Sequence, residues 1–256
     1  MNVEKYLERI GLSPKIDKTP TFDLLRKLQL SHIYSVPYEN IDLVRGVPLA
    51  LDEDKIYEKI VKRHRGGYCF ELNLLFERLL SGIGFDTESY FARFWRGCAT
   101  VPERRHRIIG VKIDGVTYIA DVGVGSAAPR IPMRLEEGTV QSSFGESYRF
   151  ERDAEFGWML YELKDGEWQK CYSFTMEKQF DIDFEAASYY CEKHPSSKFN
   201  KSFIISLKTP DGRITVDGNT HKVFVGQELR YIEENMERER LVEVLGERFG
   251  LSDVGI

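Results

Sequence analysis

RGGYCFELN, residues 65–73, places a cysteine two residues after a pair of glycines that end a charged run. Glycine lets the backbone turn sharply and approach another segment closely, so we expect Cys69 to begin a new element. The apolar residues that follow share one broad helical face. They are Phe70, Leu74, Leu75, Phe76, Leu79 and Leu80. The pattern predicts a buried helix with Cys69 in its first turn.

The first turn of a helix suits a cysteine nucleophile. Free N–H groups and the helix macrodipole stabilise negative charge there, so we expect a lowered pKa for the Cys69 thiol and a reactive thiolate. A free cysteine is also a common small core residue. On this segment alone, a structural role for Cys69 therefore stays open.

Length and composition describe an ordinary soluble globular protein. The chain has 256 residues, of which 42% are hydrophobic and 30% are charged. Its net charge of -5 argues against general nucleic-acid binding, but it allows a small anionic ligand at a local basic patch. The charged N-terminal residues do not resemble a signal peptide, and no apolar run approaches the length of a membrane span. We expect a cytoplasmic protein that does not associate with membranes.

The cysteines and histidines predict neither a disulfide framework nor a metal site. Cys69, Cys98, Cys171 and Cys191 are widely spaced, with no Cys-x-x-Cys pair. No histidine pair or Cys/His cluster has the spacing of metal ligands. Reduced thiols are the expected state, in agreement with a cytoplasmic protein.

Hydrophobic spacing changes along the chain and divides it into three regions. Residues 1–85 read as mostly helical. Residues 86–195 alternate between apolar and polar, and hairpin signals at Asp114-Gly115 and Asp165-Gly166 predict a small antiparallel barrel or sandwich. Residues 196–256 contain three strand-like runs and a charged helix that we expect to run from Glu233 to Phe249.

Two residues of the first hairpin are candidates for the base and the orienting group that a cysteine nucleophile needs. His106 opens the first strand and Asp121 closes the second, so the two should lie near one another across the ladder. Asp121 then enters a flexible loop, Val122-Gly123-Val124-Gly125-Ser126, that suits backbone contact with a ligand. Taken singly, His106 fits a surface histidine and Asp121 a turn cap. Their joint spacing favours a papain-like arrangement with Cys69.

Five motifs in this order resemble the arylamine N-acetyltransferases. They are Val36-Pro37-Tyr38-Glu39-Asn40, RGGYCFELN, the strand start at His106, Tyr118-Ile119-Ala120-Asp121-Val122-Gly123 and His194-Pro195-Ser196-Ser197. The resemblance implies an α+β fold with an N-terminal helical bundle (1–85), a central antiparallel β-barrel (86–195) and a C-terminal α/β lid (196–256). The bundle would carry the nucleophile Cys69, and the barrel would carry His106 and Asp121, which complete the triad.

The resemblance also implies a ping-pong acetyl transfer. Cys69 would take the acetyl group from acetyl-CoA and pass it to the nitrogen of an arylamine, hydrazine or arylhydroxylamine. In the family, CoA lies near the loop after the triad aspartate and near the segment after His-Pro-Ser-Ser. Here these positions are Gly125, Ser126 and Phe199.

Two positions that line the acceptor pocket in the family depart from its usual pattern. Tyr38 stands where the family usually has Phe, and Val124 replaces an aromatic residue. The resemblance therefore leaves the acceptor preference open.

Arginines gather around the strands that carry the predicted triad, and arginine binds the phosphates of CoA well. They are Arg93, Arg96, Arg104, Arg105, Arg107 and Arg130. For any one of them, a solvated basic face is an equal interpretation.

Two other functions stay open. A cysteine hydrolase or transglutaminase-like enzyme would use the same triad on peptide or amide substrates. A ligand-binding or redox-sensing protein would use Cys69 only as an oxidisable thiol.

Overall fold

Helices dominate the N-terminal third of the chain, as the hydrophobic spacing predicts. The computed structural model describes residues 1–49, 51–127, 129–252 and 254–256. The helices in this third are α1 (Val3–Arg9), α2 (Phe22–Ser35), α3 (Ile41–Val44), α4 (Glu53–Tyr57) and α5 (Cys69–Ile83). Side chains of Thr21 and Asp52 cap α2 and α4 by accepting a backbone N–H of the first turn. α4 continues as a π-helical turn over Glu58–Lys62.

α5 lies at the centre of the helical layer because it is apolar on almost every side. Between Cys69 and Leu80, every side chain except that of Arg78 is buried. The helix ends at Gly84, whose φ of 114° favours glycine. The predicted buried helix that begins at Cys69 is confirmed. Among the described residues, no helix combines the length and apolar character needed to cross a membrane.

The second region is an eight-stranded antiparallel sheet that curls into a nearly closed barrel. Its strands are β2 (Asp86–Phe94), β3 (Arg104–Ile113), β4 (Val116–Ala120), β5 (Met133–Arg134), β6 (Gln141–Ser143), β7 (Glu146–Asp153), β8 (Gly157–Lys164) and β9 (Glu167–Phe174). The order across the sheet is β5-β4-β3-β2-β9-β8-β7-β6. Gln141 bridges the two edge strands, since its side-chain amide accepts from and donates to the backbone of Arg134, both at 2.8 Å.

The two predicted hairpins form as the turn residues require. Asp114 and Gly115 both have positive φ, as do Asp165 and Gly166, which is the geometry of a type I′ turn. The first hairpin joins β3 to β4 and the second joins β8 to β9.

A five-stranded sheet joins the helical region to the C-terminal region. It contains β1 (Tyr38–Glu39), β10 (Ile204–Thr209), β11 (Gly212–Asp217), β12 (Thr220–Val225) and β13 (Glu228–Glu233), in that order. α6 (Asp183–Lys193) precedes these last strands, and α7 (Arg238–Phe249) packs on one face of the sheet. The predicted α+β fold is confirmed. Because β1 comes from the helical region, its hydrogen bonds to β10 cross the expected domain boundaries. The domain divisions at 85/86 and 195/196 stay predictions.

The predicted start of the C-terminal helix is wrong. Glu233 ends the exposed edge strand β13, which pairs with β12, and α7 begins only at Arg238. Asn235 has a φ of 55°, so the helix cannot extend back through it. The charged run is a strand followed by a helix, and Arg240 joins the two through an ion pair with Glu233 at 2.9 Å.

Buried charges fix the loop that precedes α5. Arg65 lies 2.7 Å from Glu39 and 3.1 Å from Asp42. Lys59 lies 2.8 Å from Asp42 and 2.9 Å from Glu71. Removing one partner from such a cluster costs about 3–5 kcal/mol, because it leaves another charge buried and unpaired. The cluster therefore holds the turn before Cys69 in one conformation.

His32 is a fully buried histidine in the helical layer. Its Nδ1 is 2.9 Å from the hydroxyl of Tyr6, and its ring packs against Phe76 with the ring centres 5.4 Å apart. Burial, and secondarily Arg9, lowers the pKa of His32 to about 3.

This burial predicts a loss of stability in acid. The pKa of an unfolded histidine is about 6.5, so below that pH the unfolded chain binds a proton that the folded chain does not. His32 makes its full contribution to the free energy of unfolding above about pH 6.5. This contribution falls as the pH drops towards 3 and is about 2 kcal/mol smaller at pH 5 than at pH 7. Urea unfolding at both pH values should give His32→Gln a shallower pH dependence than the wild type. The exposed-site control His194→Gln should keep the wild-type slope, and a His32→Gln slope equal to the wild type would refute the assignment.

Candidate functional site

Cys69 is placed by a loop that only glycine can form. A Cβ on Gly66 would lie 2.2 Å from the carbonyl oxygen of Pro37, so the close approach expected for this glycine pair is present. At the start of α5, the N–H of Tyr68 donates to the carboxylate of Glu71 at 3.0 Å. The helix therefore begins at Cys69 with a fixed direction.

The thiol of Cys69 lies beside β3. Its Sγ is 4.0 Å from the carbonyl oxygen of Arg105, the residue that precedes His106. Only 5% of Cys69 is exposed. The nucleophile candidate is therefore nearly enclosed and next to the strand that carries the predicted base.

His106 and Asp121 meet as their spacing predicts. Pairing of Ile109 with Ala120 places them on facing strands, and His106 Nε2 is 2.7 Å from Asp121 Oδ2. A carboxylate only accepts hydrogen bonds, so Nε2 carries the proton and Nδ1 is the basic nitrogen. Among the described residues, Nδ1 has no hydrogen-bond partner.

The carboxylate of Asp121 is held from several sides. Its Oδ1 accepts from Asn73 Nδ2 at 2.9 Å and from the N–H of Gly123 at 2.8 Å. Asn73 Oδ1 accepts from the N–H of Val122 at 2.9 Å, and Gln29 Oε1 accepts from the N–H of Asp121 at 3.2 Å. No sequence pattern singled out Asn73. Its position one helical turn after Cys69, on the same face, was the available signal.

One cavity of about 580 Å³ brings together most of the predicted site residues. They are Tyr38, Cys69, His106, Val124, Gly125, Ser126 and Phe199. Asp121 does not line the cavity and lies behind His106. The predicted nucleophile, base, CoA contacts and acceptor contacts therefore share a single opening.

Burial controls the ionisation of Cys69. It raises the pKa of the thiol well above its ordinary value, and Cys191 raises it further. The Tyr68 hydroxyl and the N–H of Phe70 lower the pKa, but they do not offset burial. The predicted lowering of the thiol pKa is wrong.

Burial raises the pKa of Cys69 because its effect is larger than that of the helix macrodipole. A helix macrodipole stabilises a charge by about 0.3–2 kcal/mol, whereas removing an ion from water costs several kcal/mol. A thiolate of Cys69 needs a cation beside it, and His106, which lines the same cavity, would become one on taking the thiol proton.

The arginines around the triad strands have different surroundings. Of the six that the sequence singles out, only Arg96 and Arg105 line the cavity. Arg107 is buried in ion pairs with Glu77 and Asp181, and Arg130 pairs with Glu146 at 3.3 Å. The cavity has further cations that no sequence pattern indicated: Lys198, Arg213 and Lys222.

Comparison with known proteins agrees with this architecture. A sequence profile described as N-acetyltransferase matches residues 21–254. The arylamine N-acetyltransferase of Mycobacterium tuberculosis is 34% identical over an alignment of 266 positions, which covers 100% of this chain and 92% of that protein. This chain belongs to the arylamine N-acetyltransferase family.

Solved structures of the family have the same fold. That of the arylamine N-acetyltransferase from Salmonella typhimurium has a TM-score of 0.92 at 30% identity, covering 97% of this chain and 90% of that one. The Mycobacterium marinum arylamine N-acetyltransferase in complex with CoA has a TM-score of 0.91 at 30% identity, covering 100% and 95%. The predicted family and fold are confirmed.

In this acetyltransferase, the described residues contain no group of three or more His, Cys, Asp or Glu side chains that could hold a metal ion.

Replacing Gly123 by any larger residue should destabilise this acetyltransferase. A Cβ there would lie 2.6 Å from Asn73 Nδ2 and 2.9 Å from Cys69 Cα, so Gly123→Ala should lower the free energy of unfolding by about 1–3 kcal/mol. Gly246→Ala is the matched control, since an added Cβ there would meet no atom within 4 Å beyond its chain neighbours and its own helix backbone. Because Gly246 is inside α7, this change should raise stability by about 0.5–1 kcal/mol. Urea unfolding measures both, and equal effects would contradict the close contact.

Proposed function

We propose that this chain transfers an acetyl group from acetyl-CoA to the nitrogen of arylamines, hydrazines or arylhydroxylamines, through an acetyl-Cys69 intermediate. The main support is the common cavity of Cys69 and His106, with Asp121 bonded to the far side of the imidazole. Family membership supports the choice of acetyl transfer over other cysteine chemistry. The complex of a relative with CoA supports the donor.

The first half-reaction begins with proton transfer from Cys69 to His106 Nδ1. The thiolate attacks the carbonyl carbon of the thioester, and a tetrahedral intermediate forms. When the intermediate collapses, the bond to the CoA sulfur breaks. The imidazolium returns its proton to that sulfur, so CoA leaves as a thiol and Cys69 holds the acetyl group.

The second half-reaction uses the same groups in the opposite sense. The acceptor nitrogen attacks the carbonyl carbon of acetyl-Cys69, and His106 Nδ1 takes the proton that the nitrogen loses. The proton then passes to the Cys69 sulfur as it leaves, which restores the free thiol and neutral imidazole. Asp121 accepts from His106 Nε2 throughout and stabilises the imidazolium in both halves.

Other cavity residues have proposed binding roles. Gly125 and Ser126, in the loop after Asp121, and Phe199 contact CoA, while Tyr38 and Val124 contact the acceptor. Gly125 has a φ of 61°, and a Cβ there would lie 2.7 Å from Ser206 Oγ, so this loop packs tightly against β10. A tightly packed loop offers backbone N–H groups at fixed positions, which suits contact with a ligand.

The test is the acetyl-enzyme itself. Incubation with acetyl-CoA should add one acetyl group to the wild type by intact mass, and peptide mapping should place it on Cys69. Cys69→Ala should acquire none and lose arylamine acetylation. Cys98→Ala is the matched control, because Cys98 lines the same cavity but is exposed, and it should acetylate and turn over within a few-fold of the wild type.

The same experiment distinguishes the alternatives. A hydrolase or transglutaminase-like enzyme would act on amide substrates and form no acetyl-enzyme from acetyl-CoA. A redox sensor would oxidise at Cys69 but show no turnover with any acyl donor. Full transfer activity in Cys69→Ala would exclude the proposed mechanism altogether.

Val124 should set the size of the preferred acceptor. Replacing an aromatic ring by Val removes hydrophobic contact with a small arylamine, on the order of 1–3 kcal/mol. The cavity keeps other aromatic walls, including Tyr38 and Phe94, so the vacated space should favour bulkier amines. We expect kcat/KM to favour bicyclic over monocyclic arylamines, and Val124→Phe to shift the ratio towards the monocyclic ones. An unchanged ratio in Val124→Phe would remove this residue from acceptor selection.

A further inference from the structure

One face of the C-terminal sheet forms a wall of the cavity that contains Cys69. On β11 the alternating residues Arg213, Thr215 and Asp217 line the wall, and Val216 between them also borders the cavity although it belongs to the core on the other face. On β12 they are Lys222 and Phe224, which pair with Thr215 and Arg213 respectively. Alternation along a strand puts these side chains on one face, while the other face packs on α7. Arg213 and Lys222 are diagonal neighbours, about 7 Å apart in such a ladder.

The cations of this wall have no carboxylate partner among the residues that the structure describes. Among the described residues, Arg213 donates to the carbonyl oxygen of Gly226 at 3.3 Å and to Gln227 Oε1 at 3.4 Å, and its guanidinium covers the ring of Phe224 at 3.8 Å. Within the described part of the chain, no carboxylate lies within 4.0 Å of Arg213 or Lys222. Both side chains are half-buried, so they are less screened by water than ordinary surface charges.

The cavity as a whole carries an excess of positive charge. Its cations are Arg96, Arg105, Lys198, Arg213 and Lys222, against the carboxylates Glu103 and Asp217. Glu103 already pairs with Arg105 at 3.0 Å, and Arg96 pairs with Glu162 outside the cavity. This basic wall stands in a chain whose net charge is -5.

Arg213 also faces other cations. Burial lowers the pKa of its guanidinium, and Arg96 and Arg130 lower it further, while Glu146 opposes them. An anion bound beside Arg213 in the cavity would offset this repulsion and replace the lost hydration. A planar guanidinium with free N–H donors binds phosphate oxygens in pairs.

We infer that Arg213, together with Lys222, binds phosphate groups of the CoA donor and makes the enzyme select phosphorylated thioesters. The inference rests on the proposed function, because it assigns the donor of that reaction to this wall. Exposed Asp217 opposes phosphate binding from the same wall. The two cations bind the donor at a distance from the reacting bond and take no part in proton transfer.

Two donors with the same thioester test this inference. Acetyl-CoA carries the phosphates, whereas S-acetylpantetheine has the same reactive end without them. Arg213→Gln should raise KM for acetyl-CoA about tenfold, the size expected for a lost charged hydrogen bond, and leave kcat/KM for S-acetylpantetheine unchanged. Arg213→Lys should recover part of the loss. Arg134→Gln, the same charge change on exposed β5 outside the cavity, should alter neither donor.

Activity with S-acetylpantetheine also reports whether each variant is folded. If Arg213→Gln is inactive with both donors, Lys222→Gln decides: a selective rise in KM for acetyl-CoA supports the inference, and an unchanged KM overturns it. Equal KM for acetyl-CoA in Arg213→Gln and wild type likewise overturns it. Failure of the proposed function looks different, since the wild type would then form no acetyl-Cys69 from either donor.

Discussion

Asn73 joins the helical layer to the barrel, and the geometry of the site depends on that connection. One side-chain amide donates to the carboxylate of Asp121 and accepts from the N–H of Val122. Gly123 then passes so close to Cys69 that a side chain would collide with it. These groups are buried, so breaking one contact leaves an unsatisfied partner at a cost of about 1–3 kcal/mol. Hydrogen bonds and close packing between rigid elements therefore set the position of Cys69 relative to the His106–Asp121 pair.

The loop before Cys69 connects the same site to the C-terminal sheet. The N–H of Glu39 donates to the carbonyl oxygen of Gly67 at 2.9 Å, and β1, which contains Glu39, pairs with β10 on its other side. Buried charges around Arg65 hold this junction in place. A displacement of the sheet would therefore act on the turn that precedes the nucleophile. The wall that contains Arg213 and the helix that begins at Cys69 are parts of one hydrogen-bonded arrangement, which allows donor binding and reactive geometry to be set together.

Local sequence signals predicted the helices and hairpins well. The features that could not be predicted depend on contacts between residues far apart in the sequence. The Asp114-Gly115 turn follows from backbone preference, and the helix at Cys69 follows from apolar spacing. Both signals depend only on residues close together in the sequence. The pairing of β1 with β10 joins residues more than 160 positions apart, and no local pattern encodes it. Arg213 has an ordinary strand pattern, and only the docking of its sheet places it in the cavity. The pKa of Cys69 was predicted in the wrong direction for the same reason, because the depth of burial is a tertiary property.

Burial of Cys69 has opposite consequences for its free and acetylated forms. The free thiol resists ionisation, so its reactivity requires a neutral His106 able to take the proton, and an isolated thiolate is not maintained. The proposed acetyl-Cys69 carries no charge and would suffer no such penalty, so the same enclosure would favour that intermediate. The cations of the C-terminal wall belong to a different surface from the His106–Asp121 pair. Negative charge on a bound donor can be neutralised there without opposing thiolate formation. With separate walls for the proposed charge neutralisation and proton transfer, one cavity could accept a highly charged donor and a neutral amine in turn.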